Sequence, residues 1–161
     1  EGKTNIYVTA DHGFDRGQQT HRDAPDIWLW DMVLSPGTKS YAFTVGHLAP
    51  VSEPSHLELW MMGASDFPAS PDHHVRVYVN GNLVDEASWD GKAVRKMEAD
   101  LPPGILREGD NLLQIENVGD TEASYSMVAL DRFAVGYPRE PVAEGGKLVE
   151  AEACGQLAAG K

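Results

Sequence analysis

Hydrophobic and polar residues alternate with a period of two along much of this chain. The cleanest run is Val75, Val77 and Val79, separated by Arg76 and Tyr78. A period of two sends successive side chains to opposite faces of an extended strand. Tyr41, Phe43 and Val45 alternate with Ala42 and Thr44 in the same way, and Leu57, Leu59 and Met61 with Glu58, Trp60 and Met62. Asn5 to Ala10 alternates more weakly. Residues 27–34 carry large apolar groups at nearly every position (Ile27, Trp28, Leu29, Trp30, Met32, Val33, Leu34), the pattern of a strand covered on both faces. The stretch 93–101 fits two templates. Ala93, Met97, Ala99 and Leu101 suit a strand, whereas Val94, Met97 and Leu101 suit a helix. Pro102-Pro103-Gly104 stops the segment before a helix gains useful length, so a strand is predicted. Residues 112–118 and 125–137 complete the set.

Turn signals stand between these runs. Asn80-Gly81-Asn82 follows the valine strand directly, and Asn and Gly tolerate the positive φ of a tight hairpin. Ser35-Pro36-Gly37 closes the strand before it. Roughly eight or nine short strands with turns between them, and no amphipathic helix, predict an all-β fold. The expected form is an antiparallel two-sheet β-sandwich of the jelly-roll, galactose-binding-like kind over residues 1–138. Residues 11–26 form a long polar stretch, a functional or mobile loop. From Arg139 to Lys161 the chain turns to Ala, Gly and Glu and loses its aromatics, which suggests a linker or the start of a next module. Within it, residues 147–153 read as an orphan strand whose partner lies elsewhere.

Composition supports this picture and narrows the partners. The 161 residues suffice for one domain with a proper core, and 16 Gly with 10 Pro favour many turns. The formal net charge is −12, which repels phosphate backbones and argues against nucleic acid. No apolar run approaches the length of a transmembrane helix, so membrane insertion is not expected. A single cysteine, Cys154, excludes an internal disulfide without fixing the compartment. The chain begins at Glu1 rather than Met, as a segment cut from a longer protein would.

The search for chemistry finds little catalytic. Gly63-Ala64-Ser65-Asp66-Phe67 begins like a nucleophile elbow, but Phe67 replaces the second glycine. His73 and His74 are neighbours on one strand, so they point to opposite faces and cannot share a metal. Asp11 and Asp15 in the polar stretch, together with Asp131 near the last strand, suggest a structural calcium, since calcium takes oxygen ligands. Their spacing matches no EF-hand. The four tryptophans either build the core or offer a sugar-stacking ring. Sugars present apolar C–H faces to aromatic rings and need polar side chains for their hydroxyls. Trp89 with Asp90, and Asn82 or Arg95 nearby, is the candidate ligand site.

Several segments, in order, carry a family resemblance. They are Trp28-Leu29-Trp30; Leu57-Glu58-Leu59 running to Gly63; residues 72–81, Asp-His-His-Val-Arg-Val-Tyr-Val-Asn-Gly; Trp89-Asp90-Gly91; the Gly109-Asp110-Asn111 turn after Leu106; and Val135-Gly136-Tyr137-Pro138-Arg139. Ala143-Glu144 and Gly146-Lys147-Leu148 continue it. Together these resemble a galactose-binding-like β-sandwich domain of large secreted bacterial proteins that carry a gingipain-type cysteine peptidase domain. The resemblance implies an extracellular, non-catalytic module, because the peptidase's His and Cys have no counterpart here. Two roles follow as expectations: binding of a carbohydrate or cell-surface polymer, or a structural adaptor packed on the neighbouring peptidase domain of the same parent protein.

Overall fold

The structure is a computed structural model that describes residues 4–10, 31–50, 52–140, 143–144 and 147–148. Among these, every regular element is a β-strand. They are β1 (Thr4–Ala10), β2 (Asp31–Leu34), β3 (Gly37–Val45), β4 (Ser55–Gly63), β5 (His73–Val79), β6 (Asn82–Trp89), β7 (Val94–Leu101), β8 (Gly109–Asn117), β9 (Met127–Arg139), β10 (Ala143–Glu144) and β11 (Lys147–Leu148).

Two antiparallel sheets form. One has the order β1-β9-β4-β7, with β2 also paired to β9. β1 lies along Phe133 to Arg139 and β2 along Met127 to Leu130, so the two share one side of the long β9 in succession. The other sheet has the order β3-β8-β5-β6. The fold is therefore a two-sheet β-sandwich of the jelly-roll kind, as the alternation predicted.

The alternation builds the core. From the first sheet come Leu57, Leu59, Met61, Met97, Leu101, Phe133 and Val135; from the second, Phe43, Val75, Val77, Val79, Leu113 and Ile115. Phe133 meets Phe43 edge-on at 5.8 Å and Tyr41 at 6.4 Å, joining the layers. Burying each such side chain stabilises the fold by roughly 1.5–3 kcal/mol. Residues 94–101 are a strand, with Met97, Ala99 and Leu101 buried and the residues between them exposed. The competing helical reading fails because β4 offers Leu59 and Leu57 in register with Met97 and Ala99.

Two local features matter later. Asn80 (φ 49°) and Gly81 (φ 81°) form the two-residue turn between β5 and β6, the positive pair that matches strand twist. The Asn80 side chain donates to Ile105 O and Asn111 Oδ1, pinning this turn to the neighbouring loop. In β9, the register against β4 shifts between Trp60 and Met61, leaving Asp131 as the extra residue of a bulge.

At the C-terminal end one expectation changes. Lys147 and Leu148 pair with Glu144 and Ala143 a few residues upstream, while residues 149–153 of the segment read as an orphan strand lie outside the described residues.

Candidate functional site on the outer face of the five-stranded sheet

The residues that face away from the core in β4, β7 and β9 stand in rows set by the strand register. Trp60 lies between Lys96 on one side and Arg132 on the other. Glu58 is paired with Glu98 and Ala134, and His56 with Asp100 and Gly136. The inward positions of the same strands are the core residues Leu57, Leu59, Met97 and Phe133, so the outward set is fixed by the period of two.

Trp60 is half-buried, and cations cover much of it. Arg132 Cζ lies 4.4 Å from the ring centroid and Lys96 Nζ 5.1 Å. Attraction to the ring quadrupole holds them there. The bulge at Asp131 returns Arg132 to the outer face beside Trp60. Both cationic side chains remain largely exposed, at 47% for Arg132 and 40% for Lys96.

An acidic rim adjoins the ring. Lys96 Nζ donates to Glu98 Oε1 at 2.7 Å and Glu58 Oε1 at 3.2 Å. These hydrogen bonds raise the Lys96 pKa, and Lys96 lowers that of Glu98. His56 Nδ1 lies 3.0 Å from Asp100 Oδ1. On the β9 side, the register partners Ala134 and Gly136 are themselves buried. One ligand atom each from His56, Glu58 and Glu98 lies within 4.8 Å of the others. The trio fits calcium poorly, because calcium prefers an all-oxygen shell and Lys96 already neutralises both glutamates.

The predicted ligand residues are not brought together. Trp89 faces inward, 9% exposed, as part of the core. It pairs in register with His73, and their ring centroids are 5.1 Å apart. The exposed ring on which that candidate rested is absent, because Trp89 falls on the same side of β6 as the buried Ala87. Asn82 opens β6 while Trp89 ends it, roughly 20 Å away at a strand's rise per residue. Its amide is used locally, donating to Val79 O and Asn80 O. Arg95 belongs to β7 in the other sheet. Asp90 bonds Ser70 Oγ and the Asp72 amide at the loop end of the sandwich.

Of the calcium candidates, Asp11 and Asp15 lie outside the described residues. Asp131 sits at the β9 bulge with its carboxylate 3.5 Å from Arg132 Nη1, facing a cation of the protein itself. Ser65, the candidate elbow serine, is buried and accepts the Met127 amide at 3.0 Å. His73 and His74 do point to opposite faces: His73 is fully buried, and His74 meets Asp120 and Glu86 on the outside. Trp60 was visible in the alternation as the residue opposite Leu59 and Met61. Its cationic partners were not, because they come from register across three strands.

No family model and no curated protein matches the chain. Among solved structures, dimeric latent PorU from Porphyromonas gingivalis superposes with a TM-score of 0.65 at 12% identity, over 89% of this chain and 13% of that one. This likeness shows the fold, a two-sheet β-sandwich. The chain thus corresponds to a small part of PorU's length. Weaker likenesses are to the carbohydrate-binding module CBM36 in complex with calcium and xylotriose (TM-score 0.47, 14% identity, 80% of this chain and 97% of that one). Another is the CBM36-1 domain of a multidomain xylanase from the hindgut metagenome of Trinervitermes trinervoides (TM-score 0.46, 13% identity, 83% and 97%).

Proposed function

We propose that this chain is a non-catalytic accessory module of a larger secreted bacterial protein. In this reading it holds a carbohydrate or cell-surface polymer on the outer face of the five-stranded sheet. Residues 1–138 form the module, and residues 139–161 lead toward the next one. The observation that carries the reading is the row Lys96–Trp60–Arg132. A large ring stands on the outer face of the sheet, flanked by hydrogen-bonding groups on long stems. A sugar ring stacks its C–H face on the indole as the guanidinium of Arg132 swings aside and donates to hydroxyls. Glu58, Glu98 and Asp100 accept from hydroxyls further along the same face.

The test is retention of the purified chain on insoluble polysaccharides and on a glycan array, beside Trp60→Ala. Binding by the parent chain and about tenfold loss in the variant support the site. Retention as strong in Trp60→Ala as in the parent chain removes it.

A second reading has its own observation. A cleft of about 220 Å³ opens where β9 ends, lined by Leu48, Pro50, Pro102, Pro103, Leu106 and Pro138. This is where the chain leaves the sandwich. In the adaptor reading a neighbouring domain of the same protein packs there. Affinity for that purified neighbour, with no retention on any glycan, moves the assignment to adaptor.

A further inference from the structure

Three loops meet at the end of the sandwich opposite that cleft, and one buried carboxylate ties them together. Asp72, 1% exposed, accepts the amides of Phe67 (3.1 Å) and Gly91 (3.0 Å). Its own amide donates to Asp90 Oδ1 at 3.1 Å, and Asp90 Oδ2 accepts from Ser70 Oγ. The carbonyl of Asp72 accepts from Thr121 Oγ1 of the third loop at 3.1 Å. Residues 64–72, 90–93 and 118–126 are thereby held in one arrangement before any ligand arrives, which lowers the cost of binding.

On this frame stands an aromatic pair. Tyr125 is 51% exposed, and its ring meets that of Phe67 edge-on, with centroids 4.8 Å apart. The carboxylate of Asp66, next to Phe67, makes no hydrogen bond or ion pair among the described residues. It lies over Gly91, where an added Cβ would stand 3.5–3.6 Å from the carboxylate. Gly91 has φ 62°, a left-handed turn that glycine adopts without strain. An exposed ring braced by a second ring, beside an uncommitted acceptor on a rigid loop frame, is an arrangement that recognises a hydroxylated ring by stacking and by accepting its hydroxyls. The aspartates Asp66 and Asp90 make the surroundings unfavourable for carboxylated or sulfated sugars.

We propose that this loop end is a second ligand site, in which Tyr125 stacks on a neutral sugar unit and Asp66 accepts its hydroxyls. The inference rests on the reading that the chain binds carbohydrate, and it adds a site distinct from the Trp60 row. Two sites on one module raise the avidity for a polymer when both engage the same chain.

The experiment is a titration of the ¹⁵N-labelled full chain with xylohexaose, cellohexaose, maltohexaose and trigalacturonic acid, followed by amide shifts. A neutral oligosaccharide should shift residues 66, 67, 91 and 121–125. Those shifts should persist in Trp60→Ala and weaken about tenfold or more in Tyr125→Ala. Tyr125→Phe, which keeps the ring, should bind like the parent, and Asp66→Ala should bind less well. Because Tyr125 is exposed, a dispersed spectrum of the variant confirms that it still folds. Shifts confined to the Trp60 row and abolished by Trp60→Ala overturn the loop-end site and leave the proposed function standing. Shifts at the loops alone, untouched by Trp60→Ala, support the loop end and overturn the Trp60 row. Preferential binding of trigalacturonic acid at the loops overturns the ligand class. No shift with any probe overturns both proposals.

Discussion

Trp89 and His73 face each other across β6 and β5 inside the sandwich, their rings 5.1 Å apart and inclined at 43°. His73 is completely buried, with Nδ1 2.7 Å from Ser126 Oγ and Nε2 3.1 Å from Gly91 O. The pair therefore joins the core to the loop end. It also leaves no spare room: a Cβ on Gly63 would overlap the Gly91 carbonyl and stand 2.5 Å from His73 Nε2.

Trp89→Ala is accordingly expected to act on stability. Emptying a site of this size costs about 3–5 kcal/mol. Trp89→Phe should lose much less. The indole Nε1 is buried with no partner among the described residues. Removing an unsatisfied donor offsets part of the lost packing. Urea unfolding of the three proteins checks this. A Trp89→Ala variant as stable as the parent chain, but unable to bind glycan, would restore Trp89 as a ligand residue.

The His74 side chain, 13% exposed, is clamped on the outer face of the other sheet. Nδ1 lies 2.6 Å from Asp120 Oδ1 and Nε2 2.5 Å from Glu86 Oε1. Burial pushes its pKa down, but the two hydrogen-bonded carboxylates outweigh burial and the net displacement is upward. Hydrogen bonding to His74 lowers the pKa of Asp120, and His74 with Arg76 lowers that of Glu86. The imidazolium's contribution to stability is thus fully present below the ordinary histidine pKa of about 6.5 and is lost as pH rises through the raised folded value. The carboxylates contribute above their ordinary values near 4 and lose that contribution as pH falls through their lowered ones. Stability from this cluster is greatest between the two ranges. The expected result is a melting temperature that falls as pH rises above about 6.5, more steeply in the parent chain than in His74→Asn. Parallel curves for the two proteins across that range would refute the charged clamp.

The strands were legible because the period of two is a local property. Val75 to Val79 and Leu57 to Met61 needed only their own residues to declare an inward face. The ambiguous 93–101 segment also resolved correctly, since two prolines and a glycine bound it. The candidate site was less legible for a physical reason. Exposure depends on which side of a strand a residue occupies once the register is set. Trp89 and Asp90 look like a surface pair in sequence, yet Trp89 shares its side with Ala87 and is buried. Lys96 and Arg132 reach Trp60 only through pairings of β7 and β9 with β4, far apart along the chain. Their meeting also depends on the bulge at Asp131, which shifts the register of β9 by one residue. Nothing in the local pattern of Leu130-Asp131-Arg132 announces that bulge.

Lys96 decides what the acidic part of the outer face can hold. Glu58 and Glu98 lie directly opposite each other on adjacent strands, an unfavourable pairing of like charges. The Lys96 ammonium, bonded to both, relieves it. His56 brings a ring nitrogen within 4.8 Å of the two carboxylate oxygens, so removing the ammonium leaves one nitrogen and two oxygen ligands around an uncompensated charge. Such a mixed set suits zinc better than calcium. Lys96→Met keeps the aliphatic stem beside Trp60 and deletes the charge. This variant should be less stable than the parent chain in the presence of a chelator. It should regain stability with added zinc, by an amount that grows with the logarithm of zinc concentration. Adding Glu98→Gln should remove that response, which separates this cluster from any cation site elsewhere in the chain. Melting curves of the parent, the single and the double variant in zinc and in chelator are the measurement. If Lys96→Met responds to zinc no more than the parent chain does, the lysine is not standing in for a metal ion. The three side chains would then be no more than a solvated acidic edge.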